Sequence, residues 1–141
     1  MPRLKDILRR RFVSSIAPGL TVAEAARRMT ELNVGAILVL ENGKLCGVFS
    51  ERDLMRRVVV ERLDPEKTLV ENVMSTVLAT ADEDTTAEQA MELMVQHKCR
   101  HLPVMDEGAV AGFLSMRDLM MDEIERKTEE LRHMRNYIQS S

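Results

Sequence analysis

The chain contains the sequence Gly47-Val48-Phe49-Ser50-Glu51-Arg52-Asp53-Leu54-Met55 and, later, the similar sequence Gly112-Phe113-Leu114-Ser115-Met116-Arg117-Asp118-Leu119-Met120. The second copy lies 65 residues after the first, and the same shift aligns both halves without a gap and with twelve identities. Self-similarity at a fixed period is the signature of a repeated structural unit. The chain is therefore a tandem duplication of a short unit, followed by a C-terminal tail.

The duplication predicts four parts along the chain of 141 residues. These are a first unit at 1–62, a linker at 63–68, a second unit at 69–121 and a helical tail at 122–141. A unit of about 60 residues buries only ~60% of its unfolded surface and is marginally stable alone. We therefore expect the two units to pack against each other around a pseudo-twofold axis as one α/β body.

Each unit has the pattern β-α-β-β-α. Helices are predicted to begin after Thr21 and Thr86, which are N-caps with an acidic or amide side chain three residues later, and to end near Asn33 and Lys98. Apolar runs separated by turn residues predict a hairpin in each unit. The predicted hairpin strands are residues 36–40 and 45–49 in the first unit, and 101–105 and 110–114 in the second. First strands are expected at residues 12–16 and 77–81, and a further helix after Ser50 and Ser115.

The tail from Asp122 to Ile138 has a helical pattern with one apolar face. Ile124, Leu131 and Met134 lie near that face together with Ile138. An apolar stripe on a charged helix usually needs a partner. We expect it to pack on the second unit or on another subunit rather than on a membrane, because the opposite face carries charges of both signs.

The composition excludes several classes of protein. The chain is 45% hydrophobic, which excludes disorder as its main state, and only 3% aromatic, which leaves few rings for stacking on bases. No apolar stretch is long enough to span a membrane, and no signal peptide is recognisable. Cys46 and Cys99 are isolated, so we expect no metal site and a soluble cytoplasmic protein with reduced thiols.

The repeated Gly-x-x-Ser-x-x-Asp string supports two readings. Ser50 and Ser115 are good helix N-caps, and Asp53 or Asp118 suits the first turn of the helix that follows. Alternatively, a helix N-terminus at the open end of a sheet is a site for anions and hydroxyls. There an aspartate carboxylate can accept both hydroxyls of a ribose.

A second distinctive string, Lys98-Cys99-Arg100-His101-Leu102-Pro103-Val104, places two cationic residues directly before a predicted strand. Arg100 offers a planar fork for phosphate and His101 a further donor. Alternatively, Arg100 caps the preceding helix and His101 fills space. The equivalent residues of the first unit are Gly35 and Ala36, so the two copies differ chemically.

Together these strings resemble a tandem pair of CBS domains, and the resemblance covers about residues 4–121. It implies a regulatory or sensor module that binds adenosine-containing ligands such as AMP, ADP, ATP, NAD or S-adenosylmethionine in two clefts between the units. It also implies a homodimer and no catalytic cofactor. Because the chain shows no attached enzyme, channel or transporter, we expect a free-standing CBS pair whose regulated partner is unknown.

The resemblance assigns residues to each cleft. The aspartates match the ribose ligand, the serines the neighbouring hydroxyl, and the residues of the first strands the segment whose backbone reads adenine. The second-unit cleft is expected to use Asp118, Ser115, Arg117, Arg100, His101, Leu102, Pro103, Ala79, Thr80 and Ala81. The first-unit cleft is expected to use Asp53, Ser50, Arg52, Gly35, Ala36, Ile37, Ser14, Ser15 and Ile16. The first unit lacks the Arg-His pair, so one cleft is expected to favour a phosphate-rich or dinucleotide ligand and the other a mononucleotide.

Other classes of function are less well supported by the sequence. An enzyme would need a nucleophile with a base, a metal cluster or a Gly-rich phosphate loop, and the chain shows none of these patterns. A nucleic-acid-binding protein is the alternative suggested by three arginine clusters, which are Arg9-Arg10-Arg11, Arg27-Arg28 and Arg56-Arg57. A purely structural protein-interaction module is the other alternative.

Overall fold

The computed structural model describes residues 2–8 and 13–140 of the chain. Its six strands are β1 (Ser15–Ile16), β2 (Ala36–Glu41), β3 (Lys44–Ser50), β4 (Ala81–Asp82), β5 (His101–Asp106) and β6 (Ala109–Ser115). Its α-helices are α1 (Leu4–Leu8), α2 (Val22–Leu32), α3 (Glu51–Asp53), α4 (Ala87–Gln96) and α5 (Met116–Ser140). A π-helical segment, Leu54–Val59, continues α3, and Val70–Asn72 forms a short 3₁₀ turn.

The strands form two three-stranded sheets with the same topology, which confirms the repeated β-α-β-β-α unit. In each sheet a short first strand runs parallel to the second, and the second pairs antiparallel with the third. The first strands are shorter than predicted: only Ser15–Ile16 and Ala81–Asp82 pair, so residues 77–80 are not a strand. Val77 and Ala79 are half-buried, whereas Leu78 is exposed. Phe12, at the start of the other predicted strand, lies outside the described residues.

The hairpin turns and the N-terminus of α4 form at the residues that the sequence predicts. Asn42 and Gly43 have φ of 52° and 79°, and the equivalent Glu107 and Gly108 have 48° and 83°. Two successive residues with positive φ are the requirement of a type I′ turn, so both predicted turns are confirmed. Helix α4 begins with a full capping box in which the Thr86 hydroxyl accepts from the Gln89 N–H and the Gln89 side chain accepts from the Thr86 N–H.

The N-terminal segment of each repeat packs on the core of the other repeat, so the two segments are exchanged. The Leu4 N–H donates to the Thr85 carbonyl at 2.9 Å, and the Leu4 side chain is fully buried in the core of the second unit. Conversely, the Val70 N–H donates to the Leu20 carbonyl at 2.8 Å, and Val70 is buried in the core of the first unit. Leu4 and Leu69 are equivalent in the duplication, so each unit is completed by the segment that precedes the other.

Because of this exchange, each hydrophobic core contains residues from both halves of the 65-residue repeat. The first core contains Ile16, Val22, Ala25, Met29, Ile37, Val39, Phe49, Val58, Val70 and Val73. The second contains Leu4, Ile7, Ala81, Ala90, Met94, Leu102, Val104, Leu114 and Leu119. A sequence shift identifies equivalent segments but carries no information on which copy each one packs against.

The two units pack through the sheet faces that point away from these cores. Ile37 and Val39 of β2 belong to the first core, and Leu38 between them is fully buried without belonging to either core. Because side chains alternate across a strand, Leu38 faces the opposite way. Strand β3 also contacts strand β6 of the other unit. The two units therefore form one body, as the marginal size of each unit predicted.

Helix α5 is a single helix of 25 residues that joins the second unit to the tail. The predicted boundary at residue 122 is therefore not a break in structure. Every residue from 123 to 140 is exposed, so the tail does not pack on its own second unit. Within the described residues, no helix is long and apolar enough to cross a membrane.

Candidate functional site

Two equivalent corners form where the hairpin of each unit meets the helix that follows. In the first unit Ala36 pairs with Ser50, and the Glu51 N–H donates to the Gly35 carbonyl at 3.0 Å. In the second unit His101 pairs with Ser115, and the Met116 N–H donates to the Arg100 carbonyl at 2.8 Å. The hairpin pairing and the first turn of the helix thus bring each predicted serine and aspartate beside residues 35–36 or 100–101.

The Ser–Asp pair caps the helix in both corners. The Ser50 N–H donates to Asp53 Oδ2 at 3.0 Å, and the Asp53 N–H donates to Ser50 Oγ at 3.2 Å. The corresponding distances for Ser115 and Asp118 are 2.8 and 3.0 Å. The capping function suggested by the sequence is therefore confirmed in both units, and it holds each carboxylate at the helix N-terminus.

Asp53 makes more internal bonds than capping requires. Its Oδ1 accepts a 2.6 Å hydrogen bond from Ser75 Oγ, and its Oδ2 also accepts from Ser50 Oγ at 3.1 Å. The guanidinium Nε of Arg57 lies 3.8 Å from Oδ1. Asp53 is only 5% exposed, and it is the one buried charged residue among those that the structure describes. Asp118, in contrast, is half-buried.

The second corner contains groups from both units. His101 is half-buried and its ring stacks on Phe113 with 5.3 Å between ring centroids. Burial lowers the pKa of His101 below its ordinary value of 6.5, the carboxylates of Asp118 and Glu51 oppose that effect, and Arg100 adds to it. Glu51 belongs to the first unit, so the charges around His101 come from both sides of the interface between units.

The similarity to known proteins covers nearly the whole chain. The family model described as "CBS domain" matches residues 4–60 and 70–123. The chain belongs to the CBS-domain family. It is a CBS-domain pair, and CBS-domain proteins are in general regulatory modules rather than enzymes.

Individual CBS proteins are similar to this chain in sequence and in structure. The CBS domain-containing protein YhcV of Bacillus subtilis is 34% identical over 128 residues, which cover 91% of this chain and 90% of that protein. The crystal structure of the CBS domain NE2398 has a TM-score of 0.83 and 35% identity, covering 87% of this chain and 98% of that one. The CBS domain protein PAE2072 of Pyrobaculum aerophilum, complexed with AMP, has a TM-score of 0.76 and 27% identity, covering 83% and 89%.

Several residues predicted for the CBS clefts are instead core residues. Ile16 and Ile37 are buried in the first core, and Ala81 and Leu102 in the second, so their side chains cannot line a cleft. Pro103 is buried on the other face of β5. Alternation along the strands turns these side chains toward buried faces. Contact from these positions would have to come from the backbone.

Most of the remaining predicted cleft residues stay accessible, but Ala36 and Asp53 are buried, with 3% and 5% exposure. Ser14, Ser15 and Ala79 are half-buried, and Thr80 is exposed on the segment that leads into β4. Arg52 and Arg117 are exposed beside the capping pairs, as is Arg100. The polar residues of the predicted sets other than Asp53 are therefore available, whereas most of the apolar ones are not.

Three residues of the corners were missed by sequence reasoning. Phe113 could have been found, since alternation along β6 places it on the same face as Ser115. Glu51 directly follows the capping serine, but the equivalent residue of the second unit is the uncharged Met116. The repeat therefore did not indicate that Glu51 belongs to the site. Ser75 lies 22 residues after Asp53 on an exchanged segment, and nothing local in the sequence connects the two.

A cavity of about 410 Å³ lies elsewhere, between β1 and the outer face of α2. It shares only Ser15 and Ile16 with the predicted first-unit cleft, and its other lining residues are Ala17, Leu20, Glu24, Arg27, Arg28 and Glu31. Arg27 is paired with Glu66 of the linker at 2.7 Å. The cavity is therefore distinct from the corner that holds Ser50 and Asp53.

The arginine clusters that suggested nucleic-acid binding are partly engaged within the protein. Arg57 donates to the Met74 carbonyl at 2.8 Å, and Arg27 pairs with Glu66. Arg9-Arg10-Arg11 lies outside the described residues. Among residues 2–8 and 13–140, no group of three or more His, Cys, Asp or Glu side chains could hold a metal ion.

Proposed function

We propose that this CBS pair is a sensor that binds an adenosine-containing nucleotide at its second corner. The proposal rests on one observation: four polar residues meet at the N-terminus of α5 and face Glu51 of the other unit. They are Asp118, Ser115, Arg100 and His101. The complex of the related protein PAE2072 with AMP supports the same ligand class. AMP, ATP and NAD are the candidate ligands.

In this proposal each polar group has a role that its chemistry allows. The Asp118 carboxylate accepts the hydroxyls of the ribose, as acidic residues do in dinucleotide-binding folds. Arg100 donates to phosphate oxygens through its planar guanidinium, and the His101 imidazole donates through a ring N–H. The backbone of residues 79–81 reads the edge of adenine. The nucleotide is a regulatory ligand, and we assign no catalytic residue.

The first corner is proposed to bind nucleotide more weakly. The first corner has Gly35 and Ala36 where the second corner has Arg100 and His101, so it offers fewer side-chain donors to a phosphate group. The two clefts of this chain therefore differ in affinity, and the second fills first.

The signal is proposed to pass through the interface between units and through a homodimer. A ligand at the second corner contacts Glu51 of one unit and His101 of the other, so it changes how the units pack. Such a ligand shifts an equilibrium only by its differential affinity, typically ~1–3 kcal/mol. Met55 and Val59 of the first unit and Met120 and Met121 of the second are exposed apolar residues that suit a subunit contact.

Mass spectrometry of small molecules released from the denatured protein, combined with thermal shift measurements, tests the proposal. AMP, ATP and NAD are added to the intact protein at millimolar concentration, with GMP as the matched control for the base. We expect at least one adenosine ligand to raise Tm more than GMP does, because ligands that bind only the folded state stabilise it. If no adenosine nucleotide raises Tm and none co-purifies, the proposal is wrong.

A further inference from the structure

The exposed part of helix α5 carries a narrow seam of apolar side chains. Met120, Ile124, Leu131, Met134 and Ile138 are each between 53% and 69% exposed. With Lys127 in the remaining position, the six residues are spaced alternately by four and three. This is the repeat of a and d positions in a coiled coil, with Met120, Lys127 and Met134 at d and the other three at a.

The seam fits a second helix better than it fits a globular core. A helix that packs on a protein core usually shows a wider apolar face than a strict a/d stripe. A stripe with a period of 3.5 residues stays in contact with a partner helix only if the two supercoil around each other. The seam spans 19 residues, from Met120 to Ile138, or about 27 Å of helix, and all of its residues lie on one uninterrupted helix.

The charges beside the seam favour a parallel pair of identical helices. Glu130 occupies a g position and Arg135 the following e position, which meet between the two chains of a parallel coiled coil. Among the described residues, neither Glu130 nor Arg135 forms an ion pair within its own chain. In an antiparallel pair with full overlap, g positions face each other, so Glu130 would meet Glu130 of the partner subunit.

Lys127 is compatible with the same arrangement. Its Nζ lies 3.4 Å from Oε1 of Glu123, one turn earlier at a g position on the edge of the seam. A long lysine stem can cover apolar surface while its ammonium stays in water. A single polar residue in the seam lowers the stability of a coiled coil but fixes its register.

We propose that α5 pairs with α5 of a second copy as a short parallel two-stranded coiled coil. The inference rests on the homodimer of the proposed function and specifies its orientation, since both copies then point the same way. A seam of fewer than three heptads is marginal as a free helix pair. Contacts between the bodies supply the effective concentration that makes the second association favourable.

The arrangement also connects the nucleotide site to the dimer. Helix α5 begins at Met116, whose N–H bonds to the Arg100 carbonyl, and it contains Asp118 in its first turn. Its far end is the seam. A change in the direction of α5 on ligand binding would therefore be transmitted along one helix to the contact between subunits.

Disulfide trapping tests the orientation in the full-length chain with Cys46→Ser and Cys99→Ser. Leu131→Cys places a thiol at an a position, where identical residues meet in a parallel pair, and Asn136→Cys places one at the outward f position as the control. We expect mild oxidation to cross-link Leu131→Cys far more completely than Asn136→Cys. Equal cross-linking of the two variants would overturn the proposal.

Charge reversal tests the same contact without cysteines. Glu130→Arg or Arg135→Glu alone is expected to raise the dimer dissociation constant by about 3- to 10-fold, because each creates two repulsive pairs per dimer. The double variant is expected to restore the original value. Analytical ultracentrifugation provides the readout at low ionic strength.

The two experiments separate this inference from the proposed homodimer. The wild-type chain could be a dimer whose dissociation constant is unchanged by either single charge reversal and that does not cross-link through Leu131→Cys. That result would refute the coiled coil but not the homodimer. A native chain that stays monomeric at high concentration would refute both. Nucleotide binding is measured independently, so neither result bears on the ligand.

Discussion

Ser75 Oγ donates a 2.6 Å hydrogen bond to Oδ1 of Asp53, and this bond connects the segment after the linker to the corner of the first unit. The same segment pairs with β3, where the N–H groups of Val48 and Ser75 donate to each other's carbonyls. The residue equivalent to Ser75 in the other half is Arg10, which lies outside the described residues. We propose unequal clefts because the second corner has Arg100 and His101 where the first has Gly35 and Ala36.

Ser75→Ala should destabilise the protein by about 1–3 kcal/mol, because a buried carboxylate oxygen then loses its hydrogen-bond donor. Chemical denaturation measures the free energy of unfolding. Thr76→Ala, at the exposed neighbouring position, is the control and should change stability by less than about 0.5 kcal/mol. Equal stability of the two variants would show that the Ser75–Asp53 bond contributes nothing to the fold.

Gly47→Ala tests how closely the exchanged segment approaches β3. A Cβ at residue 47 would lie 2.8 Å from both the Ser75 carbonyl oxygen and the Met74 sulfur, so backbone would have to move. We expect a loss of about 1–3 kcal/mol in the free energy of unfolding, typical of overpacking. Gly19→Ala is the matched control, since no atom lies within 4 Å of its added Cβ. A Gly47 variant as stable as the Gly19 variant would contradict the close approach.

Much of the fold could be predicted from the sequence because its signals are local and occur twice. The turn at Asn42-Gly43 and the cap at Thr86 depend on neighbouring residues, and the 65-residue register then repeats each assignment in the other half. The exchange of α1 could not be predicted, since the pattern of Leu4 is equally suited to either core. The Ser75–Asp53 bond was missed for a related reason, because it depends on where the chain returns after the linker.

The sequence indicated which polar residues lie together at the second corner, but it did not indicate that the neighbouring apolar side chains are buried. Asp118, Ser115, Arg100 and His101 converge because the hairpin register places strand ends beside the following helix. Leu102 and Pro103 belong to the same motif but point to buried faces. A motif match identifies positions along the chain, and the pleat of the strand decides which of them can reach a ligand.

Stability should depend on pH through His101. Burial lowers the pKa of His101 in the folded state, so below its ordinary value of 6.5 the unfolded chain binds more protons than the folded one. The free energy of unfolding should therefore fall as the pH drops from 7.5 to 5.5, and the fall should be smaller in His101→Gln. His133→Gln, at an exposed tail position, is the control and should retain the wild-type pH dependence. Identical pH dependence of wild type and His101→Gln would contradict the burial of a neutral imidazole.

The proposed nucleotide site at Asp118 is tested most directly by calorimetric titration of AMP into the wild-type chain, Asp118→Asn and Asp53→Asn. Asparagine keeps the size and capping ability of aspartate but removes its charge. We predict saturable binding to wild type, a loss of affinity of at least about 10-fold in Asp118→Asn, as expected for a lost charged hydrogen bond, and a smaller loss in Asp53→Asn. Equal affinity in wild type and Asp118→Asn, or no binding of AMP to the wild-type chain at millimolar concentration, would contradict it.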